Sequence, residues 1–175
     1  MSNNAFLETL IARRSVKSYT SQQVPADVLQ SVLQAAQYAP NGMGRQSPRM
    51  VVVQNPEVRN LLSKMNAEVM GADSDPFYGA PTVVVVFGNA EAMTCIEDAS
   101  LVAGNLLNAA HAVGLGGCWI HRARQMFESA QGRELMRQWG IPENFVGVAN
   151  CILGYQLNDP KPRAPRKADF VTYVS

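Results

Sequence analysis

The amino-acid sequence predicts a single layered domain in which helices pack on a β-sheet. Three observations predict this architecture: apolar residues at helical spacing, a run of consecutive apolar residues over 82–87, and a small-residue apolar stretch over 94–113. A chain of 175 residues is most simply one domain, and it is long enough to bury a core of its own. No repeat, linker or low-complexity tract divides it.

The elements of the first half follow from apolar periodicity and from the prolines. Proline is favoured at the first position of a helix and excluded from its interior, so Pro25 and Pro56 predict helix starts and Pro40 predicts a stop. With the apolar stripes added, the expected order is helix 4–14, helix 25–39, strand 50–53, a helix from residue 56 and loop 71–81.

The second half contains the most apolar segments. Residues 82–87 lack alternation, which is typical of a central strand covered on both faces. Residues 94–113 are apolar nearly all round, which predicts a buried helix. The remaining expected elements are strand 118–121, an amphipathic helix 127–139, strand 145–153 and a β-like tail 170–174 that could embrace a partner subunit.

Composition excludes several classes of protein. The net charge of +1 gives no general attraction to nucleic acid or membranes, and the longest apolar runs are too short to span a bilayer. The low charged fraction, 17%, indicates a partly covered surface and hence an oligomer. Three cysteines without a C-x-x-C pair indicate reduced, buried thiols in a cytoplasmic protein, and the first residues lack a signal-peptide pattern.

A split cationic cluster is the most informative feature of the sequence. Arg13-Arg14-Ser15-Val16-Lys17 ends the first helix, and Lys161-Pro162-Arg163 lies near the other terminus. Guanidinium forks, a hydroxyl and an ammonium are the groups that match a phosphate. Each half alone is ambiguous, because cations also collect at helix C-termini and basic tails are commonly solvated. Together the halves predict one anionic ligand held from both ends of the sequence.

Two further segments are candidate ligand walls. The loop 39–48 contains Asn41 and Gly42, and it is either a plain connection or a polar wall. The glycines of 114–117 close a helix and open a strand, which is the reverse of a dinucleotide-binding fingerprint. The strand they open ends at His121-Arg122, where free backbone N–H groups could face a ligand.

Nucleophilic and metal chemistry are not expected from the side chains. Cys118 and His121 are close in sequence, but strand residues alternate between faces and these two do not form a nucleophile pair. The chain has two histidines and no metal-ligand spacing. There is also no Ser–His–Asp arrangement and no P-loop.

Six motifs in chain order resemble those of the nitroreductase family of flavin oxidoreductases, over essentially the whole chain and including its small single-domain bacterial members. No single motif is specific, but their order is. The matching segments are 13–17, the Ala39-Pro40…Gln46…Pro48 loop, Phe77-Tyr78-Gly79-Ala80-Pro81, Gly114-Leu115-Gly116-Gly117-Cys118-Trp119-Ile120, Leu153-Gly154-Tyr155 and Lys161-Pro162-Arg163.

The resemblance implies an α+β fold with a mixed, mainly antiparallel sheet flanked by helices. It also implies an intertwined homodimer with an extended C-terminal tail, binding one FMN per subunit at the dimer interface. Arg13, Ser15, Lys161 and Arg163, or Arg166 in place of the last, would hold the phosphate. Lys17 would lie near the N1–C2 carbonyl edge of the ring. The full set of implied cofactor-binding residues is Arg13, Arg14, Ser15, Lys17, Asn41, Gly42, Ile120, His121, Arg122, Lys161 and Arg163.

The activity that the resemblance implies is ping-pong hydride transfer through flavin N5. NAD(P)H would reduce the flavin, and a nitroaromatic, quinone or similar electron-poor acceptor would reoxidise it, with no side chain needed as acid or base. Two alternatives stay open. One is another flavin enzyme on the same scaffold, such as a dehalogenase, a dehydrogenase or a flavin-consuming enzyme. The other is a non-enzymatic dimer that stores flavin or senses redox state.

Overall fold

The protein is described by a computed structural model over residues 4–160 and 162–174. Six helices, four strands and two 3₁₀ turns make up the fold within these residues. In chain order they are α1 (Ala5–Ala12), α2 (Ala26–Gln37), a 3₁₀ turn (Gly42–Gly44), β1 (Arg49–Val53), α3 (Pro56–Met70), β2 (Thr82–Asn89), α4 (Cys95–Ala112), β3 (Gly116–Ile120), α5 (Ala123–Glu128), α6 (Ala130–Gln138), β4 (Phe145–Gly154) and a 3₁₀ turn (Ala168–Phe170).

The four strands form one antiparallel sheet in the order β1-β2-β4-β3. β2 lies in the interior of the sheet, and its residues 82–88 are all buried, which confirms the central strand predicted from the apolar run. β3 lies at one edge. The sheet was expected to be mixed; its parallel component is an isolated bridge between Ser15 and Gly117 outside the named strands.

Helices cover both faces of the sheet, which gives the α+β layered fold expected from the sequence. One core lies between the sheet and the pair α2 and α4, where Val84 and Val86 point from β2. The other core lies between the sheet and α3, α5 and α6, where Val83, Val85 and Phe87 point from the same strand. Alternate residues of a strand point to opposite faces, so a strand buried on both sides must be apolar throughout.

The single helix predicted over 127–139 is wrong, because the chain breaks into α5 and α6 at Ser129. Its backbone is extended there (φ −69°, ψ 158°), its hydroxyl donates to the Met126 carbonyl at 2.7 Å, and the same oxygen accepts from the Gly132 N–H at 3.1 Å. An added Cβ on Gly132 would lie 2.1 Å from the Met126 carbonyl oxygen. The break therefore needs glycine at 132, a constraint that apolar periodicity does not reveal.

The tail and α1 lie outside the two cores. No strand forms in residues 162–174, where the sequence suggested a β-like segment over 170–174; a strand needs a neighbour to complete its hydrogen bonds. α1 has no buried residue, and the large apolar side chains of the tail are also exposed. Within the described ranges, no helix is both long and apolar enough to cross a membrane.

Candidate functional site

The N-terminal half of the cationic cluster is attached to the outer edge of β3. Ser15 forms a parallel bridge with Gly117, and the Val16 N–H donates to the Gly117 carbonyl at 3.1 Å. The Tyr19 hydroxyl donates to the Val16 carbonyl at 2.7 Å. An added Cβ on Gly116 would lie 2.9 Å from the Val16 side chain. Glycine at 116 therefore lets residues 15–16 pack against the strand.

Alternation along this segment separates the binding groups from the core. Val16 is buried, whereas Ser15 and Lys17 on either side of it are exposed. Neighbours on an extended chain point to opposite sides, so the Ser15 hydroxyl and the Lys17 ammonium share the outer face. Arg13 and Arg14, at the end of α1, are half-buried. A hydroxyl and an ammonium are thus presented on one side of the β3 edge.

The Ser15 hydroxyl lies close to the Cys118 thiol in β3, and the charges of Lys17 and Arg13 act on that thiol from farther away. Burial raises the pKa of this thiol above its ordinary value, while the Ser15 hydroxyl and the charges of Lys17 and Arg13 act in the opposite direction. The net shift is upward, so the thiol stays protonated at neutral pH. The three predicted phosphate and ring contacts are therefore neighbours in space. Cys118 and Cys151 are buried free thiols, and Cys95 is half-buried.

Tyr78 covers Lys17 from the loop that precedes β2. The Lys17 Nζ lies 5.5 Å from the centroid of the Tyr78 ring. The backbone of Tyr78 has a positive φ of 53°, which is uncommon for a residue other than glycine. Such a conformation persists only where the surrounding structure holds it.

The Asp75 side chain holds the backbone of Tyr78 in this conformation. Its carboxylate accepts hydrogen bonds from the backbone N–H groups of Phe77 at 2.9 Å and Gly79 at 2.7 Å, on either side of Tyr78. It also accepts from the Arg59 guanidinium at 2.6 Å and from the Ser63 hydroxyl. Burial acts to raise the pKa of Asp75, but these hydrogen bonds outweigh it and hold the pKa below its usual range.

The junction between β3 and α5 contains the third group of predicted contacts. β3 ends at Ile120, His121 is exposed, and Arg122 precedes α5 with a φ of 77°. The His121 carbonyl accepts a hydrogen bond of 2.7 Å from Nδ2 of Asn66 in α3. The Arg122 carbonyl accepts the first backbone hydrogen bond of the helix, from the Met126 N–H at 3.1 Å. Hydrogen bonds therefore fix the carbonyl groups of both His121 and Arg122 at this junction.

The loop that contains Asn41 and Gly42 is anchored to the first turn of α4. The buried Asp98 carboxylate accepts from the Gly42 N–H at 2.9 Å and from the Ser47 hydroxyl at 3.2 Å. The Asn41 side-chain oxygen accepts from the Gln46 N–H at 2.8 Å, and Gln46 has a positive φ of 50°. These hydrogen bonds fix the conformation of the loop. With Val102 of α4, the loop lines a cavity of about 260 Å³.

Within one chain, this loop and the cationic cluster lie at different ends of α4. The loop contacts Asp98, whereas the β3 edge contacts Leu107, since an added Cβ on Gly117 would lie 2.9 Å from it. Nine helical residues separate these two positions by about 14 Å along the axis. The structure thus brings Arg13, Ser15 and Lys17 together but leaves Asn41 and Gly42 apart from them.

The C-terminal half of the cluster lies only partly within the described residues. Lys161 lies outside the described residues, and Arg163 is exposed in the tail. Arg14 lines a separate cavity of about 380 Å³ with His111 and Gln156. Within residues 4–160 and 162–174, no group of three or more histidine, cysteine or acidic side chains is placed to hold a metal ion.

Three residues that support the site were missed from the sequence: Asn66, Asp75 and Asp98. Asn66 and Asp98 are buried and Asp75 is exposed, and each bonds to the backbone of a segment that carries predicted contacts or a family motif. Asp98 had no distinctive signal, because acidic residues are favoured in the first turn of a helix whether or not they have a partner, and Glu97 stands beside it there. Asn66 had none, since its partner is 55 residues away.

This chain is similar in sequence and in fold to proteins of one family. The model of the nitroreductase family matches residues 10–155. The NADPH-flavin oxidoreductase of Vibrio harveyi is 28% identical over 176 residues, covering 93% of this chain and 71% of that protein. A nitroreductase with bound FMN from Bacteroides fragilis is 28% identical with a TM-score of 0.91, covering 99% of this chain and 100% of that one. Another with bound FMN, from Desulfitobacterium hafniense, is 25% identical with a TM-score of 0.87, covering 98% and 99%.

Proposed function

This chain belongs to the nitroreductase family, and from that premise we propose that it is an FMN-dependent oxidoreductase. It takes electrons from NAD(P)H and delivers them to an electron-poor acceptor such as a nitroaromatic or a quinone. The observation that carries the proposal is the attachment of the segment from Arg13 to Lys17 to the outer edge of β3, through the Ser15–Gly117 bridge. FMN supplies the redox chemistry when bound, because its ring can take up a hydride at N5 and give up the electron pair afterwards.

The donor set at the β3 edge fits a flavin phosphate. Arg13 offers a planar fork of N–H donors and Ser15 a hydroxyl, two residues apart at the β3 edge. A phosphate dianion needs such a set because its oxygens accept several hydrogen bonds and carry two charges. We assign the phosphate to Arg13 and Ser15, with Arg14 alongside and with Lys161 and Arg163 closing over it from the tail.

The remaining contacts follow the β3 edge away from the phosphate. Lys17, covered by the Tyr78 ring, is assigned to the pyrimidine edge of the flavin, where a cation stabilises the negative charge of the reduced ring. Ile120, His121 and Arg122 are assigned to the N5 side through their backbone. From Gly117 to His121 the strand advances by about 13 Å. That separation suits an elongated ligand, such as a phosphate joined by a five-carbon chain to a three-ring system.

We propose that the working unit is a homodimer with the cofactor at its interface. Apolar side chains remain exposed on α1, α4 and the tail, which is more than a stable monomer usually leaves uncovered. In a two-fold dimer each subunit presents the same surface to the other. Packing of the exposed faces of α4 in opposite directions would set the loop of Asn41 and Gly42 beside the partner's β3 edge. That arrangement accounts for the distance between the loop and the cationic cluster within one chain.

Anaerobic mixing of the FMN-loaded protein with NADH and NADPH tests the proposed function. We expect bleaching of the flavin absorption by at least one nicotinamide and its return when menadione or nitrofurazone is added. Failure of both nicotinamides to reduce the flavin would favour another flavin enzyme on this scaffold, such as a dehalogenase. Reduction without reoxidation by any acceptor, including oxygen, would favour a storage or sensing role.

A further inference from the structure

Asn66 is not among the residues that were predicted to contact the cofactor. It is fully buried in α3, and its Nδ2 donates to the His121 carbonyl at 2.7 Å. The amide orientation follows from this contact, because the carbonyl can only accept and the side-chain nitrogen must face it. The hydrogen bond joins the core of the domain to the one peptide group that links His121 with Arg122.

Fixing that carbonyl also fixes the direction of the Arg122 N–H. The C=O of His121 and the N–H of Arg122 belong to the same planar trans peptide, in which the two groups point in opposite directions. Asn66 draws the carbonyl inward, so the N–H points away from α3. β3 hydrogen-bonds to β4 only as far as Ile120, and the first backbone bond of α5 uses the Arg122 carbonyl. The Arg122 N–H is therefore directed outward, beyond the end of the β3–β4 ladder.

The backbone conformation of Arg122 supports a role beyond packing. A φ of 77° is uncommon for a residue with a Cβ and persists where the structure imposes it. On the N-terminal side of Arg122, the hydrogen bond from Asn66 holds the carbonyl of the preceding peptide group. The junction also follows the same strand that carries Ser15 at its other end.

We propose that Asn66 is a positioning residue for the cofactor, which turns the His121–Arg122 peptide so that its N–H can donate to flavin N5. The inference rests on the proposed function, because it takes FMN as the ligand at the β3 edge. N5 accepts a hydrogen bond in oxidised flavin but carries a hydrogen of its own in reduced flavin. A donor fixed toward N5 therefore favours the oxidised form and lowers the reduction potential.

Asn150 of β4 provides a matched control. It is fully buried, like Asn66, and its Nδ2 contacts the same Met126 sulfur, at 3.4 Å against 3.2 Å for Asn66. The side-chain oxygens of both lack a hydrogen-bond partner among the described residues. Of the two, only Asn66 donates to the His121 carbonyl. Asn66→Leu and Asn150→Leu each remove one buried amide of equal size, and only the first should release the peptide.

The experiment measures the midpoint potential of bound FMN in the wild type and in both variants, each saturated with FMN. We expect Asn66→Leu to shift the equilibrium between oxidised and reduced flavin about tenfold toward the reduced form. This shift is equivalent to a change of about +30 mV in the midpoint potential of a two-electron couple. We expect Asn150→Leu to leave it unchanged. With ¹⁵N-labelled FMN, the N5 resonance should move in Asn66→Leu alone, a change that a loss of packing would not produce selectively.

The outcomes separate the two proposals. FMN bound by Asn66→Leu with an unchanged potential and an unchanged N5 resonance overturns the role of Asn66 and leaves the proposed function standing. Equal shifts in both variants also overturn it, because they would trace to packing around Met126. A wild type that binds no FMN overturns both proposals. If Asn66→Leu does not fold, Asn66→Ser is measured in its place, since serine is too short to reach the carbonyl and adds no bulk.

Discussion

The Nζ of Lys17 lies 5.5 Å from the centroid of the Tyr78 ring, which places a cation from the N-terminal segment against an aromatic face from the loop before β2. The contact joins two segments that the sequence separates by 61 positions. Tyr78 reaches this place with a positive φ, held by the hydrogen bonds that Asp75 accepts on either side of it. The ammonium is therefore positioned by a chain of contacts that begins at the Asp75 carboxylate.

Replacement of Lys17 tests the assigned role of its charge. We expect Lys17→Met to make the midpoint potential of bound FMN more negative by about 30 mV or more, because a cation near the ring stabilises the anionic reduced form. Lys64→Met is the matched control, since Lys64 is an exposed lysine on α3. A potential equal to that of the wild type in Lys17→Met would contradict the placement of Lys17 beside the ring.

Asp75 should make folding stability depend on pH in acid. Its pKa is lowered in the folded protein, so its contribution is fully present above the ordinary aspartate pKa of about 3.9 and is lost as pH falls through the lower folded value. We expect Asp75→Asn to cost about 1 kcal/mol at neutral pH, because its hydrogen-bond donors lose a charged acceptor whose effect solvent partly screens. Urea unfolding from pH 7 to pH 3 measures both effects. The difference in the free energy of unfolding between wild type and variant should become smaller toward pH 3. A difference that is constant with pH would contradict the prediction.

The phosphate assignment predicts a specific loss of cofactor. We expect Arg13→Gln to weaken FMN binding about 10- to 100-fold, the range for a lost hydrogen bond to a charged group. We expect the double variant Arg13→Gln/Arg163→Gln to release FMN altogether. Arg124→Gln serves as the control, because Arg124 forms an exposed pair with Glu128 on α5. Fluorescence titration of the apoprotein with FMN gives the affinities. Full retention of FMN in the double variant would refute the assignment.

The exposed face of α4 should be a subunit interface. Leu101 on this face is 45% exposed, and Val69 on α3, in the opposite layer, is 41% exposed. We expect Leu101→Glu to convert a dimer into monomers in light scattering and to lose FMN with it, since a buried unpaired carboxylate is strongly unfavourable. Val69→Glu should change neither property. A dimer that survives Leu101→Glu would place the interface elsewhere.

Most of the fold could be predicted from the sequence because its signals are local. Prolines at 25 and 56 and the apolar run of β2 each identify an element within a few residues. The division at Ser129 could not be predicted in the same way. It depends on the close approach of the Gly132 backbone to the Met126 carbonyl, which is a contact in space and not a pattern in sequence.

The candidate site likewise contains residues that could be predicted from the sequence and residues that could not. Arg13, Ser15 and Lys17 are adjacent in the chain, and an extended backbone through a buried Val16 is enough to place them together. Asn66, in contrast, is recognisable only once α3 is known to pack beneath the end of β3. Residues that are adjacent in the sequence therefore allow a ligand site to be predicted. The residues that orient those contacts can be identified only from the tertiary structure.

The most direct test of the account is the visible spectrum of the purified protein after incubation with FMN and gel filtration, with the released chromophore identified by chromatography. The account predicts a yellow protein that retains about one FMN per subunit. A colourless protein that does not retain added FMN would contradict it, since the cluster at the β3 edge would then have no flavin phosphate to hold.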